Sequence, residues 1–142
     1  MPRGYKQVIP REVLFWLGIL LIAGTTIGSF LPGIMKLWLG THPYEPGQAH
    51  VETAHRIYHF ATFGCIALVY LLLAEGILAE AKVSLLVFAM GFIIECAQRL
   101  TGLAALLEWW DIRDDLYAVL GVFVLIQTAN KWLPMKSQES RS

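Results

Sequence analysis

Four long apolar stretches dominate this sequence and restrict the folds that it can adopt. They cover residues 13–31, 57–78, 83–100 and 116–133. A helix needs about 20 predominantly apolar residues to cross the hydrocarbon core of a bilayer, and about 17–25 are tolerated. Each of the four stretches lies within that range. We therefore predict an all-α membrane protein with four transmembrane helices.

The composition favours lipid over water as the solvent of this chain. Hydrophobic residues make up 56% and charged residues 15% of the sequence, whereas soluble proteins average about 45–50% and about 25%. The formal net charge is zero, and the few basic residues are scattered. A surface that follows nucleic-acid phosphates is therefore not expected, and the lipid bilayer is the predicted partner.

The length of 142 residues has room for one domain. We assign residues 1–134 to a single four-span membrane domain. The polar segment 135–142 is expected to be a disordered cytoplasmic tail. No internal repeat is evident.

Lys and Arg residues predict how the spans are oriented, because cytoplasmic loops carry an excess of them. A cytoplasmic N-terminus would place seven basic residues inside and four outside. This count favours both termini in the cytoplasm of a multi-pass membrane protein. The inner set is Arg3, Lys6, Arg11, Lys82, Lys131, Lys136 and Arg141, and the outer set is Lys36, Arg56, Arg99 and Arg113.

The connections between the spans differ in length. A short turn at residues 79–82 makes the second and third spans antiparallel neighbours, and Glu75, Glu80 and Lys82 are expected to be solvated there. A longer outer loop is predicted over residues 32–54, because it contains the turn signals Pro32-Gly33 and Pro46-Gly47.

Polar residues gather where three of the predicted spans meet the outer face. Each span end offers one helical stripe, with residues spaced three or four apart. Facing lipid, each stripe would cost a few kcal/mol, about 3 for a single charge at the centre of a span. Facing inward, the stripes could satisfy one another. The stripes are His55 with His59, Glu95 with Gln98 and Arg99, and Asp111 with Asp114 and Asp115.

Individual residues of this cluster have competing interpretations. Glu95 ends an apolar run, so it could equally pair with an arginine (Arg56, Arg99 or Arg113) or serve a ligand or proton. For His59, an interhelical hydrogen bond is favoured over catalysis or metal binding. Gln98 is most simply an interhelical hydrogen-bond partner. The simplest role of Asp114 and Asp115 is to stabilise a helix N-terminus.

The sequence disfavours both metal binding and covalent catalysis. The four histidines all lie on the predicted outer side, but their spacing follows no recognised zinc pattern. No serine or cysteine stands beside a base as a nucleophile. No metal and no cofactor are therefore predicted. The histidines are His42, His50, His55 and His59.

The motifs at these positions resemble the VanZ-like family of small bacterial membrane proteins. Arg56 and His59 resemble the basic residue and histidine that enter one helix of that family. Glu95-Cys96-Ala97-Gln98 resembles its Glu-x-x-Gln, and Asp114 with Gly121 resembles the motif of its last helix. The resemblance covers about residues 54–124.

Three positions depart from the family pattern. His55 stands where the family has an acid, Ala118 where it usually has Asn, and Glu108 where an arginine is common. A reaction that needs the full set is therefore in doubt. The resemblance implies a membrane setting and, through the named member of the family, a link to glycopeptide (teicoplanin) resistance, but no established reaction.

Three functions remain open from the sequence. The first is an accessory protein of the cell envelope that binds a lipid headgroup or lipid-linked cell-wall precursor. The second is an enzyme acting on such a lipid, with Glu95 or His59 as the base. The third is a structural module whose buried charges only set helix packing. For all three, a homo-oligomer stays open as a partner. A transporter is least favoured. The predicted ligand-binding residues are Arg56, His59, Glu95, Gln98, Arg99, Arg113 and Asp114.

Overall fold

The computed structural model describes residues 9–39, 49–101 and 109–132, and these ranges form four α-helices. The prediction of an all-α protein is therefore confirmed. The predicted tail at 135–142 lies outside the described residues. In chain order the helices are α1 (Arg11–Leu39), α2 (Ala49–Leu73), α3 (Ile77–Leu100) and α4 (Trp109–Trp132).

Three of these helices are long and apolar enough to cross a membrane, which indicates a membrane protein. The spanning segments are Arg11–Leu31, His55–Leu73 and Ile77–Leu100. The fourth helix has 24 residues, about 36 Å at 1.5 Å per residue, but four of its first seven residues are charged. Large apolar side chains point outward on all four helices, among them Trp16, Leu20, Ile57, Leu85, Leu86 and Leu125.

Helix α2 is the centre of the bundle. It packs against the three other helices and most extensively against α4, whereas α1 barely touches α3. Small residues permit the α2–α4 approach, since a Cβ added at Gly64 would lie 3.9 Å from the Cβ of Ala118. The core that results consists of Phe63, Ile66, Ala67, Leu71, Val87, Ile94, Ala118, Val119 and Ile126.

The turn between α2 and α3 lies earlier than the sequence predicted. It centres on Gly76, whose φ of 90° is a conformation that residues with a Cβ rarely adopt. Because this glycine fixes the turn, the predicted turn residues 79–82 belong to α3. Glu80 is only 2% exposed, and its carboxylate accepts a hydrogen bond from Gln127. The prediction of a solvated Glu80 was wrong.

The first predicted loop is also shorter than expected within the described residues. Helix α1 continues through Pro32 and Gly33 to Leu39, and α2 begins at Ala49. Proline and glycine signal turns in water, but membrane helices tolerate both, because neighbouring helices and local adjustments satisfy the freed backbone groups. The predicted boundaries 32–54 were therefore wrong at both ends.

Candidate functional site

Helices α2, α3 and α4 bring their polar residues together at one end of the bundle. This polar end combines the first turns of α2 and α4 with the last turns of α3. Buried charges are costly unless they are paired or coordinate a metal, so the contacts among these residues decide what the site can do. The buried polar residues here are His59, Glu95, Asp111, Asp114 and Asp115.

Asp114 is held by two arginines. Arg56 of α2 donates from Nε to Asp114 Oδ2 at 2.7 Å, and Arg113 donates from Nη2 to Asp114 Oδ1 at 2.8 Å. The hydrogen bond from Arg56, aided by Arg113, holds the pKa of the Asp114 carboxyl below its ordinary value. The Arg113 guanidinium also lies over the Trp110 ring, 4.5 Å from its centroid, where a cation is attracted to the π-face.

His59 lies between two aspartates of α4. Its Nδ1 is 3.1 Å from Asp115 Oδ1, and its Nε2 is 3.7 Å from Asp111 Oδ2. Asp111 Oδ2 also lies 2.9 Å from Nε2 of His55. The His59 ring stacks on Phe63 at a centroid distance of 6.0 Å. Because an ionised carboxylate only accepts hydrogen bonds, His59 Nδ1–H donates to Asp115 and leaves Nε2 directed to the Asp111 side.

Asp115 is the most deeply placed acid of the polar end. It is 0% exposed, and burial raises the pKa of its carboxyl, against the opposing hydrogen bond from His59. Among the described residues, no hydrogen-bond donor reaches its second oxygen, Oδ2. A Cβ added at Gly91 of α3 would lie 2.5 Å from this oxygen. Gly91 therefore provides the space that Asp115 occupies.

The remaining predicted site residues lie at the same end but make other contacts. Gln98 donates to the backbone carbonyl of Ser29 at 2.6 Å and so links α3 to α1. Glu95 is buried near His59, where its negative charge acts on the imidazole. Arg99 is exposed. Arg56 and Arg113, two of the three arginines that the sequence suggested as partners of Glu95, both contact Asp114.

Three positions differ from the VanZ-like motif pattern, and two of them lie within the described residues. His55 contacts Asp111 across the α2–α4 interface. Ala118 is buried in the core where α4 approaches α2. Glu108 lies outside the described residues.

Three residues of the polar end were absent from the predicted binding set, namely His55, Asp111 and Asp115. The sequence contained a signal for them. His55 and His59 are four apart on α2, and Asp111 and Asp115 are four apart on α4, so each pair lies on one helix face. Two such pairs on adjacent helices can meet side chain to side chain, as the contacts His55–Asp111 and His59–Asp115 do.

An apolar groove lies between α1 and α3 and ends beside the polar end. Its volume is about 390 Å³, and it exists because these two helices make few contacts. Phe30 and Ala97 line it next to the Gln98–Ser29 hydrogen bond. Its lining is Thr26, Phe30, Leu86, Ala89, Met90, Ile93, Ile94 and Ala97.

No protein-family profile, no curated protein and no solved structure matches this chain. The resemblance to the VanZ-like family therefore stays a prediction that rests on the order of motifs in the sequence.

Proposed function

We propose that this chain is an integral membrane protein that binds an anionic, phosphate-bearing envelope lipid or lipid-linked cell-wall precursor at its polar end. The observation that carries the proposal is the apolar groove between α1 and α3, which ends beside the polar residues. A lipid combines the same two kinds of surface, since its acyl chain is apolar and its headgroup is charged.

The groove suits an acyl chain. All of its lining residues except Thr26 have apolar side chains, and Thr26 donates its hydroxyl hydrogen bond to the backbone carbonyl of Ile22. An acyl chain in the groove would therefore not leave the Thr26 hydroxyl without a hydrogen-bond partner. Its walls belong to two helices that are long and apolar enough to lie in a bilayer, so lipid chains are the apolar molecules that reach it.

Exposed cations at the polar end of the bundle suit a phosphate. Arg99 lies in the last turn of α3, at this end, and is exposed, and no acidic side chain among the described residues forms an ion pair with it. Arg56 has 45% of its side chain exposed although it pairs with Asp114. Arginine's planar set of donors matches the geometry of phosphate oxygens. We therefore assign Arg99 to first contact with the headgroup and Arg56 to a supporting role.

Binding, rather than turnover, is the activity that we propose. His59 is only 5% exposed, and its two ring nitrogens face Asp115 and Asp111. A general base must come within hydrogen-bond reach of the proton that it removes from its substrate. The burial of His59 and Glu95 therefore argues against either residue as the base in this conformation.

The cellular setting belongs to the same proposal. We propose that α4 is a fourth span, that both termini are cytoplasmic and that the polar end faces outward in the bacterial inner membrane. The excess of Lys and Arg on the opposite side supports this orientation. An influence on glycopeptide susceptibility would follow from the VanZ-like resemblance, through altered access to a cell-wall precursor.

Native mass spectrometry of the detergent-extracted protein tests the proposal. The probe is a phosphatidylglycerol or undecaprenyl phosphate added at known concentration. We expect Arg99→Gln to weaken binding about tenfold, as for loss of one hydrogen-bonded charge, and Ala97→Phe to weaken it by filling the groove. The matched controls are Arg11→Gln at the opposite end and Ala81→Phe on an exposed position of α3.

Equal loss of lipid in the controls would contradict a specific site. A structural module is the second candidate function, and a specific observation favours it, since Arg56, His59 and Arg113 all find partners within the bundle. That candidate predicts the same lipid retention in wild type, Arg99→Gln and Ala97→Phe, so the same spectra separate the two functions.

A further inference from the structure

We propose that the polar end binds a divalent transition-metal ion through His55, His59 and Asp111. The proposal goes beyond lipid binding and does not depend on it, because none of the three residues lines the groove between α1 and α3. It also revises the expectation from the sequence, where the spacing of the four histidines predicted no metal.

The three side chains already converge. One ligand atom from each lies within 4.8 Å of the others. Asp111 Oδ2 is 2.9 Å from His55 Nε2 and 3.7 Å from His59 Nε2. Tetrahedral zinc with bonds of about 2.0–2.1 Å separates two of its ligand atoms by about 3.4 Å. The two distances to Asp111 bracket that value, so small side-chain movements would create the site.

Asp115 supplies the support that a metal-binding histidine requires. A ligating histidine almost always donates its other ring N–H to a carboxylate, carbonyl or water, which fixes the ring and its tautomer. His59 Nδ1 is 3.1 Å from Asp115 Oδ1, so Nε2 remains for the metal. The buried Asp115 is held in a space provided by Gly91. The contact between His59 and Asp115 is therefore a second observation in favour of a metal site, separate from the distances among the three ligand atoms.

The charges of the polar end also favour a cation. Four carboxylates are buried there, on Glu95, Asp111, Asp114 and Asp115, whereas Arg56 and Arg113 both contact Asp114. A divalent ion beside Asp111 and Asp115 would offset this negative charge. Two imidazoles and one carboxylate suit zinc and neighbouring first-row metals, and three protein ligands leave a coordination position open. His55 is 43% exposed, which provides an entry path.

Metal titration of the full-length protein in detergent tests the proposal. The protein is stripped with chelator and titrated with Zn²⁺ against a chromophoric competitor, and then with Co²⁺, whose visible bands report a tetrahedral site. We expect one equivalent of Zn²⁺ per chain. We expect His55→Gln to weaken Zn²⁺ binding at least about 100-fold, since even supporting residues are worth about 10–100-fold. Glu75→Gln, at the opposite end, is the matched control and should bind as wild type does.

The choice of His55 keeps the test interpretable. Its side chain is partly exposed, so its replacement should preserve the fold, which the thermal unfolding of the metal-free protein verifies. Asp115→Asn should weaken Zn²⁺ binding about 10–100-fold and shift the Co²⁺ bands. Zn²⁺ binding of equal affinity in His55→Gln, or no stoichiometric binding in wild type, would overturn the proposal. Arg99→Gln should leave Zn²⁺ binding unchanged, so failure here is separable from failure of lipid binding.

Discussion

Asp115 Oδ1 of α4 lies 3.1 Å from His59 Nδ1 of α2 in the interior of the bundle, where Asp115 is fully buried. The core residue Phe63 lies beside the pair, because the His59 ring stacks on it and both Phe63 and Asp115 lie against Gly91. A polar contact at this depth fixes which residues of α2 face which residues of α4. The pair therefore sets the register between the two helices that pack most extensively.

Removal of Asp115 should destabilise the bundle. Asp115→Ala leaves His59 buried without this partner and creates a cavity, so we expect a loss of about 3–5 kcal/mol in the free energy of unfolding. Asp115→Asn keeps the volume and an oxygen that can accept from His59, and it should lose less. Thermal unfolding in detergent, followed by circular dichroism, measures both. An Asp115→Ala variant as stable as wild type would contradict the assigned role of the pair.

Asp114 should make stability depend on pH in the acid range. Its pKa is lowered from the ordinary 3.8, first by the hydrogen bond from Arg56. The unfolded chain therefore binds a proton more readily than the folded one, and the stabilisation is present above pH 3.8 and lost as pH falls towards the lowered pKa.

The difference in unfolding temperature between wild type and Asp114→Asn, measured from pH 7 down to about pH 3, isolates this effect. The difference should shrink as pH falls. The raised pKa of Asp115 acts in the opposite direction; its largest cause is burial, which both proteins share, and the charge of Asp114 is its smallest cause. A difference that stays constant over the range would contradict the pairing of Asp114 with Arg56 and Arg113.

Gly91 should not tolerate a side chain. A Cβ there would lie 2.5 Å from Asp115 Oδ2 and 3.0 Å from Phe63 Cε1, and both neighbours are buried. We expect Gly91→Ala to cost about 1–3 kcal/mol in unfolding free energy, as for other overpacked cores. Gly24→Ala is the matched control, because no atom lies within 4 Å of its added Cβ. Equal stability of the two variants would contradict the close packing of α3 against Asp115.

The opposite end of the bundle offers a contrast between a buried and an exposed acid. Glu80 is buried and accepts a hydrogen bond from Gln127, whereas Glu75 pairs with Arg11 at the surface, at 2.5 Å. Exposed ion pairs contribute little, and loss of a buried hydrogen-bonded charge costs more. We expect Glu80→Ala to lower the unfolding temperature measurably and Glu75→Ala to leave it nearly unchanged. The reverse order would contradict the position of the turn at Gly76.

Much of the fold follows from the sequence, because each helix is encoded by a long local pattern. Apolar length identified the helices, and the short connection after α2 made α2 and α3 neighbours. The boundaries were less predictable. Pro32 and Gly33 signal a turn in water but lie within α1, and the turn at Gly76 depends on a positive φ that neither apolar length nor periodicity reveals.

The sequence predicted where the polar site lies but not which of its residues contact one another. Spacing of three and four showed that His55 with His59, and Asp111 with Asp115, share faces. It did not show that α2 and α4 would place those faces together, since this depends on packing between helices distant in sequence. An aspartate in the first turns of a helix also has a local role in stabilising the N-terminus, and that role, predicted for Asp115, concealed its contact with His59.

Photo-cross-linking of a bound lipid is the most direct test of the central claim. Protein reconstituted with a phosphatidylglycerol that carries a diazirine on its acyl chain is irradiated, digested and mapped by mass spectrometry. We predict that adducts concentrate on the groove segments, residues 26–30 of α1 and 86–97 of α3, and that Ala97→Phe removes them whereas Ala81→Phe does not. Adducts spread evenly over the outward apolar faces of all four helices, and unaffected by Ala97→Phe, would contradict a lipid site in the groove.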